Sequence, residues 1–309
     1  MSEKASVIFM GTPEFAVPTL VKLNEEFGVK AVVTVPDKPQ GRGKKQLPSP
    51  VKQKAAELSI PILQPDSLKD IDFVDKIKEL TPDIIVVVAF RILPREVFSL
   101  AKLGTFNIHA SLLPRYRGAA PINRAIIEGE KYTGLTSFLL DDKVDTGNIL
   151  LQKKIEIPEG STAGDLHDLM MPLSADMAVE TCKMLLSGNF RTTMQDDSLA
   201  CPAPKLFAEN CRIDWNLPAE RIVNFIHGTS PTPGAWTIWN GKRLKILRAE
   251  LYKGSALSEP GSFSIEDDKF IIQCETGSIN ATEIQPQDKK SMKTADFVRG
   301  YRGETNGIL

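Results

Sequence analysis

The sequence predicts an α/β protein: a Rossmann-like, doubly wound, mostly parallel sheet followed by a smaller OB-fold-like β-barrel domain. Three observations carry that expectation. Apolar runs of strand length alternate with helix-period segments up to about residue 188. Several of these runs are apolar at every position, as strands covered on both faces must be. Beyond residue 207 the pattern changes to short strand pairs joined by tight-turn dipeptides.

In order along the chain, "SVIFM" at 6–10 stops at Gly11 and reads as a buried strand, and 13–26 follow with helical spacing. "VKAVVTV" at 29–35 is a second buried strand. A basic, Gly/Pro-rich loop comes next. Ser49 and Pro50 then open a helix, Ser49 as N-cap and Pro50 in its first turn. "PILQP" is a short strand, and "SLKDIDFVDKIKEL" an amphipathic helix. "DIIVVVA" at 83–89 is a central strand and "TFNIHA" its successor. "AAPINRAIIEGE" reads as a helix ending near Gly129. "TGLTSFLLDD" and "NILLQKKIEI" continue the sheet, and a long helix starts after Ser161 and Thr162 and ends near 188.

Residues 190–207 are polar, contain Pro202 and Pro204, and read as a linker. The expected division is a catalytic domain over 1–189, a linker over 190–207 and a barrel over 208–309. In the last part "PAERIVNFIHGTS" is a helix between strands. "AWTIWNGKRLKILRAEL" is a hairpin with the Asn240-Gly241 signal of a type I′ turn. "KFIIQCETGSINATEIQP" is another, turning at Thr276-Gly277. Short strands and one helix in this length suit a five-stranded oligonucleotide-binding barrel.

The 309 residues, 42% apolar and 25% charged, are ordinary for a globular protein with a large core. No apolar run approaches the ~20 residues of a membrane span, and the N-terminal stretch lacks the layout of a signal peptide. A cytoplasmic protein is expected. Cys182, Cys201, Cys211 and Cys274 show no CxxC spacing, which disfavours disulfides and a zinc site. No apolar helix lacks an evident burial partner, so a monomer is expected.

The net charge is −1, but its distribution is uneven. Residues 34–54 hold six basic side chains against Asp37 alone. Further basic groups sit at Lys242, Arg243, Lys245 and Arg248, and at Lys289, Lys290 and Lys293. Such patches can hold a polyanion without a basic overall pI; solvated loop lysines are the other reading.

Sheets of this kind bind ligands at the carboxyl ends of their strands. The first strand ends in "MGTPEFAVP", which keeps only one glycine of G-x-G-x-x-G, so dinucleotide-dependent hydride transfer is disfavoured. There is no G-x-S-x-G elbow and no P-loop. "TFNIHASLLPRYRG" carries one of the chain's three histidines. On a strand, Asn107 and His109 share a face. An amide can donate to a developing oxyanion, and an imidazole can move a proton. Residue types alone also allow a structural Asn and a satisfied His. In "LLDDKVDTGNIL", Asp145 could orient His109, favour its charged form, or accept a proton through water. Metal binding by this acidic loop has only a DxxD spacing behind it. His167 reads as a helix-surface residue and His227 as a dipole partner at a helix C-terminus.

"NIHASLLPRYRG" followed by "DTG" resembles the folate-dependent formyltransferases, which share an Asn-x-His-x-Ser-Leu-Leu-Pro signature and a later Asp. "GTPEFAVPTL", "PDKPQGRGKKQLPSPVK", "RYRGAAPINRAI", "RIDW" at 212–215 and "QPQDKKSM" at 285–292 resemble the branch of that family that formylates initiator tRNA. The likeness runs over nearly the whole chain. It implies Asn107, His109 and Asp145 as a catalytic trio moving a formyl group from 10-formyltetrahydrofolate to the α-amine of methionyl initiator tRNA, without a metal. It implies Ser111, Leu112, Leu113 and Pro114 as the folate-binding segment, with Asp141 near the pterin. It implies that the basic loop contacts the tRNA acceptor stem through Arg42, Lys44 and Lys45 and orders on binding. One departure stands out: where the family commonly reads Ala-Tyr-Gly-x-Ile-Leu-Pro, this chain has "AFRILP", Ala89 to Pro94, one residue shorter and without the glycine. The pterin contacts and the direction of Arg91 stay open at this point.

The rivals are a formyltransferase for glycinamide ribonucleotide or an amino-sugar nucleotide, a non-catalytic RNA-binding relative, and a hydrolase releasing formate from the folate. The "GRGKK" loop and the 208–309 domain argue against the first, the intact Asn107, His109 and Asp145 against the second, and an assay of formylmethionine and free formate separates the third. For the loop itself, Arg42→Ala is expected to raise KM for tRNA strongly and leave folate affinity nearly unchanged. Steady-state kinetics with each substrate varied in turn would show it, and equal effects on both would refute the assignment. Binding to tRNA is also expected to weaken steeply with salt.

Overall fold

A computed structural model describes residues 5–40, 45–254 and 259–309. The chain forms two compact units. The first comprises residues 1–118, 134–155 and 167–202; the second comprises 119–133, 156–166 and 203–309.

The first unit is built on a seven-stranded sheet. Its strands are β1 (Val7–Gly11), β2 (Val29–Val33), β5 (Ile62–Leu63), β6 (Ile84–Val88), β7 (Gly104–His109), β8 (Tyr132–Leu139) and β9 (Ile149–Glu156), in the order β5-β2-β1-β6-β7-β8-β9. The order reverses about β1, so the carboxyl ends of β1, β6 and β7 come together where such sheets place their ligands. The register puts Gly11 beside Val88 and Val87 beside Asn107. From β5 through β7 the strands are parallel. β8 runs antiparallel to β7, with Phe106 opposite Leu139 and His109 opposite Thr136. Apolar patterning reported that these strands are buried; it carries no information on their direction.

α1 (Val17–Phe27), α2 (Pro50–Glu57), α3 (Ile71–Glu79), the single turn α4 (Arg95–Phe98) and α6 (Ala163–Ser187) complete the pattern of helices between strands. Ser49 caps α2 as the sequence predicts: its Oγ accepts from the Lys52 amide at 3.1 Å. Thr162 and Asp165 bond reciprocally at the start of α6. One core joins Ile8, Met10, Val33, Ile85 and Val87 of the sheet to Phe73, Ile77 and Val97 of α3 and α4. Each such side chain contributes about 1.5–3 kcal/mol on burial.

The basic loop differs from expectation in its flanks. Lys38–Gln40 (β3) and Lys45–Leu47 (β4) pair antiparallel as a separate two-stranded sheet, with Gln40 opposite Lys45. Gly and Pro content suggested an irregular segment, but short extended arms need only backbone hydrogen bonds. Arg42 and Lys44 lie outside the described residues.

The second unit is an antiparallel sheet curled into a half-barrel. Its strands are β10 (Ala235–Trp239), β11 (Lys242–Tyr252), β12 (Ser262–Glu266), β13 (Lys269–Gln273), β14 (Ser278–Pro286), β15 (Met292–Lys293) and β16 (Asn306–Ile308). They run in the order β10-β11-β14-β13-β12-β16, with β15 on β14. α5 (Pro121–Ile127), α7 (Ala219–Thr229) and α8 (Thr294–Gly300) belong to this unit. Asn240 and Gly241 take φ of +50° and +70°, as a type I′ turn requires. Trp239 anchors the core, 5.2 Å from Phe270 and edge-on to Phe263 at 6.0 Å.

His227 corrects a sequence expectation. α7 continues to Thr229, and the ring turns inward, where its Nε2 accepts from the Ala249 amide at 3.3 Å. Burial, with Arg248 nearby, holds its pKa below the usual histidine range. It is therefore a neutral core acceptor, not a charged dipole partner. In the unfolded chain the ring titrates near pH ~6.5, so its contribution is intact above that value. As pH falls through ~6.5 toward the lower folded pKa, the unfolded state takes up more protons and stability is lost. The thermal midpoint of the native protein is expected to fall between pH 7.5 and 5.5, and His227→Gln, which keeps an acceptor, is expected to flatten that slope. Calorimetry across this range is the check; equal slopes would contradict it.

Candidate active site

β7 delivers the first two groups. Phe106 and Ile108 are buried, and the intervening positions Asn107 and His109 project together from the opposite face at the strand's end. Asn107 is half-buried, and its side-chain amide bonds to no described residue, which leaves both donor hydrogens for a ligand. His109 is buried. Its Nε2 lies 2.8 Å from the Tyr116 carbonyl oxygen, an acceptor, so this nitrogen carries a proton and donates. The other nitrogen, Nδ1, faces the Asp145 carboxylate at 3.8 Å.

Asp145 arrives from the loop after β8. Its Oδ2 accepts from the Gly118 amide at 2.9 Å. A carboxylate–amide bond of this kind is charge-assisted and strong. The backbone at Asp145 is left-handed, with φ of +56°. Gly147 shows why the loop reads Asp-Thr-Gly: a Cβ there would stand 1.6 Å from the Leu139 carbonyl oxygen. The structure thus brings Asn107, His109 and Asp145 to one place.

The Ser111–Pro114 segment is held from β8 and β9. Thr136 Oγ1 donates to the Ser111 carbonyl at 2.7 Å and accepts from the Leu113 amide at 3.1 Å. Gln152 Nε2 donates to the Leu113 carbonyl at 2.7 Å. Ser111 Oγ donates to the Arg115 carbonyl at 2.6 Å. Leu113 is buried, whereas Leu112 and Pro114 keep partial exposure. Asp141 is exposed, and its Oδ1 accepts from the Lys143 amide and the Thr146 hydroxyl, so it closes its own loop. Lys45 lies in the separate hairpin.

The shortened turn after β6 has a definite path. Ala89 takes a φ of +47°, and Arg91 folds back to donate to the carbonyls of Asp66 and Pro65 at 3.0 and 2.9 Å. Ile92 beside it is largely exposed, as is Val144 in the Asp145 loop.

Sequence reading missed several groups. The Gly118 amide and Tyr116 carbonyl are backbone atoms of the "RYRG" stretch and carry no residue-type signal. Arg117 pairs with the Gln195 amide and the Asp197 carboxylate. Thr136 and Gln152 are ordinary polar positions on strands. Among the described residues no cluster of three or more His, Cys, Asp or Glu could hold a metal ion.

A doubly wound sheet that ends in an Asn, a His and an Asp suits acyl-type group transfer, and comparison with known proteins agrees. The formyl transferase family matches residues 3–181 and the formyl transferase C-terminal domain matches residues 205–302; the chain belongs to the formyl transferases. Relatives named methionyl-tRNA formyltransferase include one from Chlorobium limicola, 45% identical over 96% of each chain. Another, from Caldanaerobacter subterraneus subsp. tengcongensis, is 45% identical over 98% of this chain and 99% of its own. Among solved structures, the N-formyltransferase of Helicobacter canadensis matches with a TM-score of 0.69 at 20% identity, over 91% of this chain and 99% of its own. The sugar 3N-formyl transferase WlaRD matches with a TM-score of 0.68 at 20% identity, over 94% and 100%. These two likenesses are of fold.

The Asp145 loop gives a direct check on the geometry. Gly147→Ala must displace backbone and is expected to destabilise the protein by about 1–3 kcal/mol. Gly300→Ala, where an added Cβ meets nothing within 4 Å, is expected to be near neutral. Denaturant unfolding of both variants measures the difference.

Proposed function

We propose that this enzyme transfers the formyl group of 10-formyltetrahydrofolate to the α-amine of methionyl initiator tRNA, in the cytoplasm and as a monomer. One observation carries the reading: relatives named for that activity are 45% identical over 96% and 98% of this chain, spans long enough to take in both units. The sugar formyltransferases share the fold at 20% identity, so the fold alone does not choose the acceptor. The working division is a catalytic domain over 1–189, a linker over 190–207 and a tRNA-binding domain over 208–309.

The strand-end surface fits the folate. Exposed aliphatic side chains, Ile92 and Val144, stand on the loops that follow β6 and β8, where a flat heterocycle would cover them. The Ser111–Pro114 backbone, fixed by Thr136 and Gln152, forms one wall. The folate supplies an activated formyl carbon. Asn107 donates to the oxygen of that carbon as the acceptor amine attacks it, and protonated His109 adds its charge to the same oxyanion. Asp145 holds His109 in place and takes the proton that the amine sheds, directly or through water. That proton returns to the folate nitrogen as its bond to the formyl carbon breaks, so protons and electrons balance. Arg42, Lys44 and Lys45 are assigned to the acceptor stem, with the Lys242–Arg248 stretch adding phosphate contacts.

The test is an assay with 10-formyltetrahydrofolate and charged initiator tRNA in which formylmethionine and free formate are both measured. Formylmethionine is expected from the native enzyme, with kcat lowered by roughly 10²–10⁴ in His109→Ala and in Asp145→Ala. Formate without formylmethionine would point to hydrolysis, and near-native turnover by both variants would remove the trio from the chemistry.

A further inference from the structure

Gln195 lies in the polar stretch after α6, where periodicity offers no role for it. It is nonetheless 7% exposed, and both ends of its amide are in use. Nε2 donates to the backbone carbonyls of Asp145 at 3.0 Å and Gly147 at 2.8 Å. Oε1 accepts from Arg117 Nε at 3.1 Å and Nη2 at 2.8 Å. A guanidinium only donates, so Arg117 fixes which end of the amide faces the Asp145 loop. Arg117 is itself anchored: Nη2 also donates to Asp197 at 2.7 Å, and its backbone amide donates to the Cys201 carbonyl at 3.0 Å. Thr193 and Ile149 exchange two backbone bonds, at 2.8 and 2.9 Å, that tie the segment to the start of β9.

The loop under this clamp needs holding. A non-glycine residue with left-handed φ, as at Asp145, persists only where its surroundings over-determine it. The amide supplies one donor to each carbonyl flanking Thr146, and the carboxylate supplies the bond to Gly118. We propose that Gln195 is a positioning residue for formyl transfer: oriented by Arg117, its amide holds the Asp145–Gly147 backbone so that the Asp145 carboxylate faces Gly118 and His109. This rests on the reading above that Asp145 takes part in the chemistry. Residues 193–197, a linker on sequence grounds, lie within the first unit and act on its site.

Gln195→Glu in the full-length protein separates positioning from bracing. Glutamate still accepts from Arg117, so the anchor is kept, but it offers no donor to the two loop carbonyls. The expected result is a kcat per folded molecule lowered about tenfold or more, with KM for both substrates within about threefold. A second readout needs no turnover. The Gly118 amide proton, bonded to a carboxylate, is expected to move upfield and exchange faster in Gln195→Glu, and likewise in Asp145→Ala. Should the glutamate variant not fold, Gln195→Leu, which removes the acceptor for Arg117 together with the donor, is read through the Gly118 amide alone. A kcat within about twofold of native, or a Gly118 amide unchanged in a folded Gln195 variant, overturns the proposal. So does a loss of stability with kcat per folded molecule intact. Absence of formyl transfer by the native protein would overturn the functional reading alone, because the Gly118 signal still decides the positioning claim.

Discussion

The bond between the Asp145 carboxylate and the Gly118 amide is the constraint on which the rest of the site depends. It ties the loop after β8 to the turn after β7, two segments that approach from antiparallel neighbours. Once it forms, Asp145 stands beside His109 Nδ1, while the Tyr116 carbonyl occupies Nε2 from the same turn. The imidazole is thus defined from both sides by groups within two residues of each other or of the bond. Asn107 alone is left without a protein partner among the described residues. That division of labour suits a site in which one donor must be free for the reacting oxygen and the others must already be in place.

Holding this arrangement draws on polar contacts well outside the motif. Thr136 and Gln152 fix the Ser111–Pro114 backbone, and Gly134 gives Leu112 and the Lys153 carbonyl the space they occupy. Left-handed backbone at Ala89, Tyr116 and Asp145 accumulates at the loops around the strand ends. Strain of this kind is stable only against a rigid floor, and the uniformly buried β1 and β6 provide one.

Much of the fold was legible because it follows from burial. The all-apolar runs at 6–10 and 83–89, the Ser49-Pro50 helix start and the Asn240-Gly241 turn each announce themselves through chemistry local to a few residues. The direction of β8 did not, since an antiparallel edge strand and a parallel one are equally apolar. β12 and its turn at Asp267-Asp268 passed unread because neither residue is glycine, although both adopt positive φ. In the site, the spacing of Asn107 and His109 gave a shared face, the acidic loop offered Asp145, and the family likeness joined the three. What could not be read were contacts made by backbone atoms, such as Gly118 and Tyr116, and by Gln195, whose neighbours in sequence are polar and aperiodic. His227 failed for a related reason: a helix-end histidine looks the same in sequence whether its ring faces water or β11.

Arg91 ties the loop after β6 to the loop after β5 through two carbonyls, while its neighbour Ala89 takes the left-handed backbone that the shorter turn demands. Replacing Arg91 within this turn would therefore be no neutral exchange. It would strip the Pro65 and Asp66 carbonyls of these donors and unfasten two adjacent loops at once, so this turn and the 65–66 bend are held as one piece.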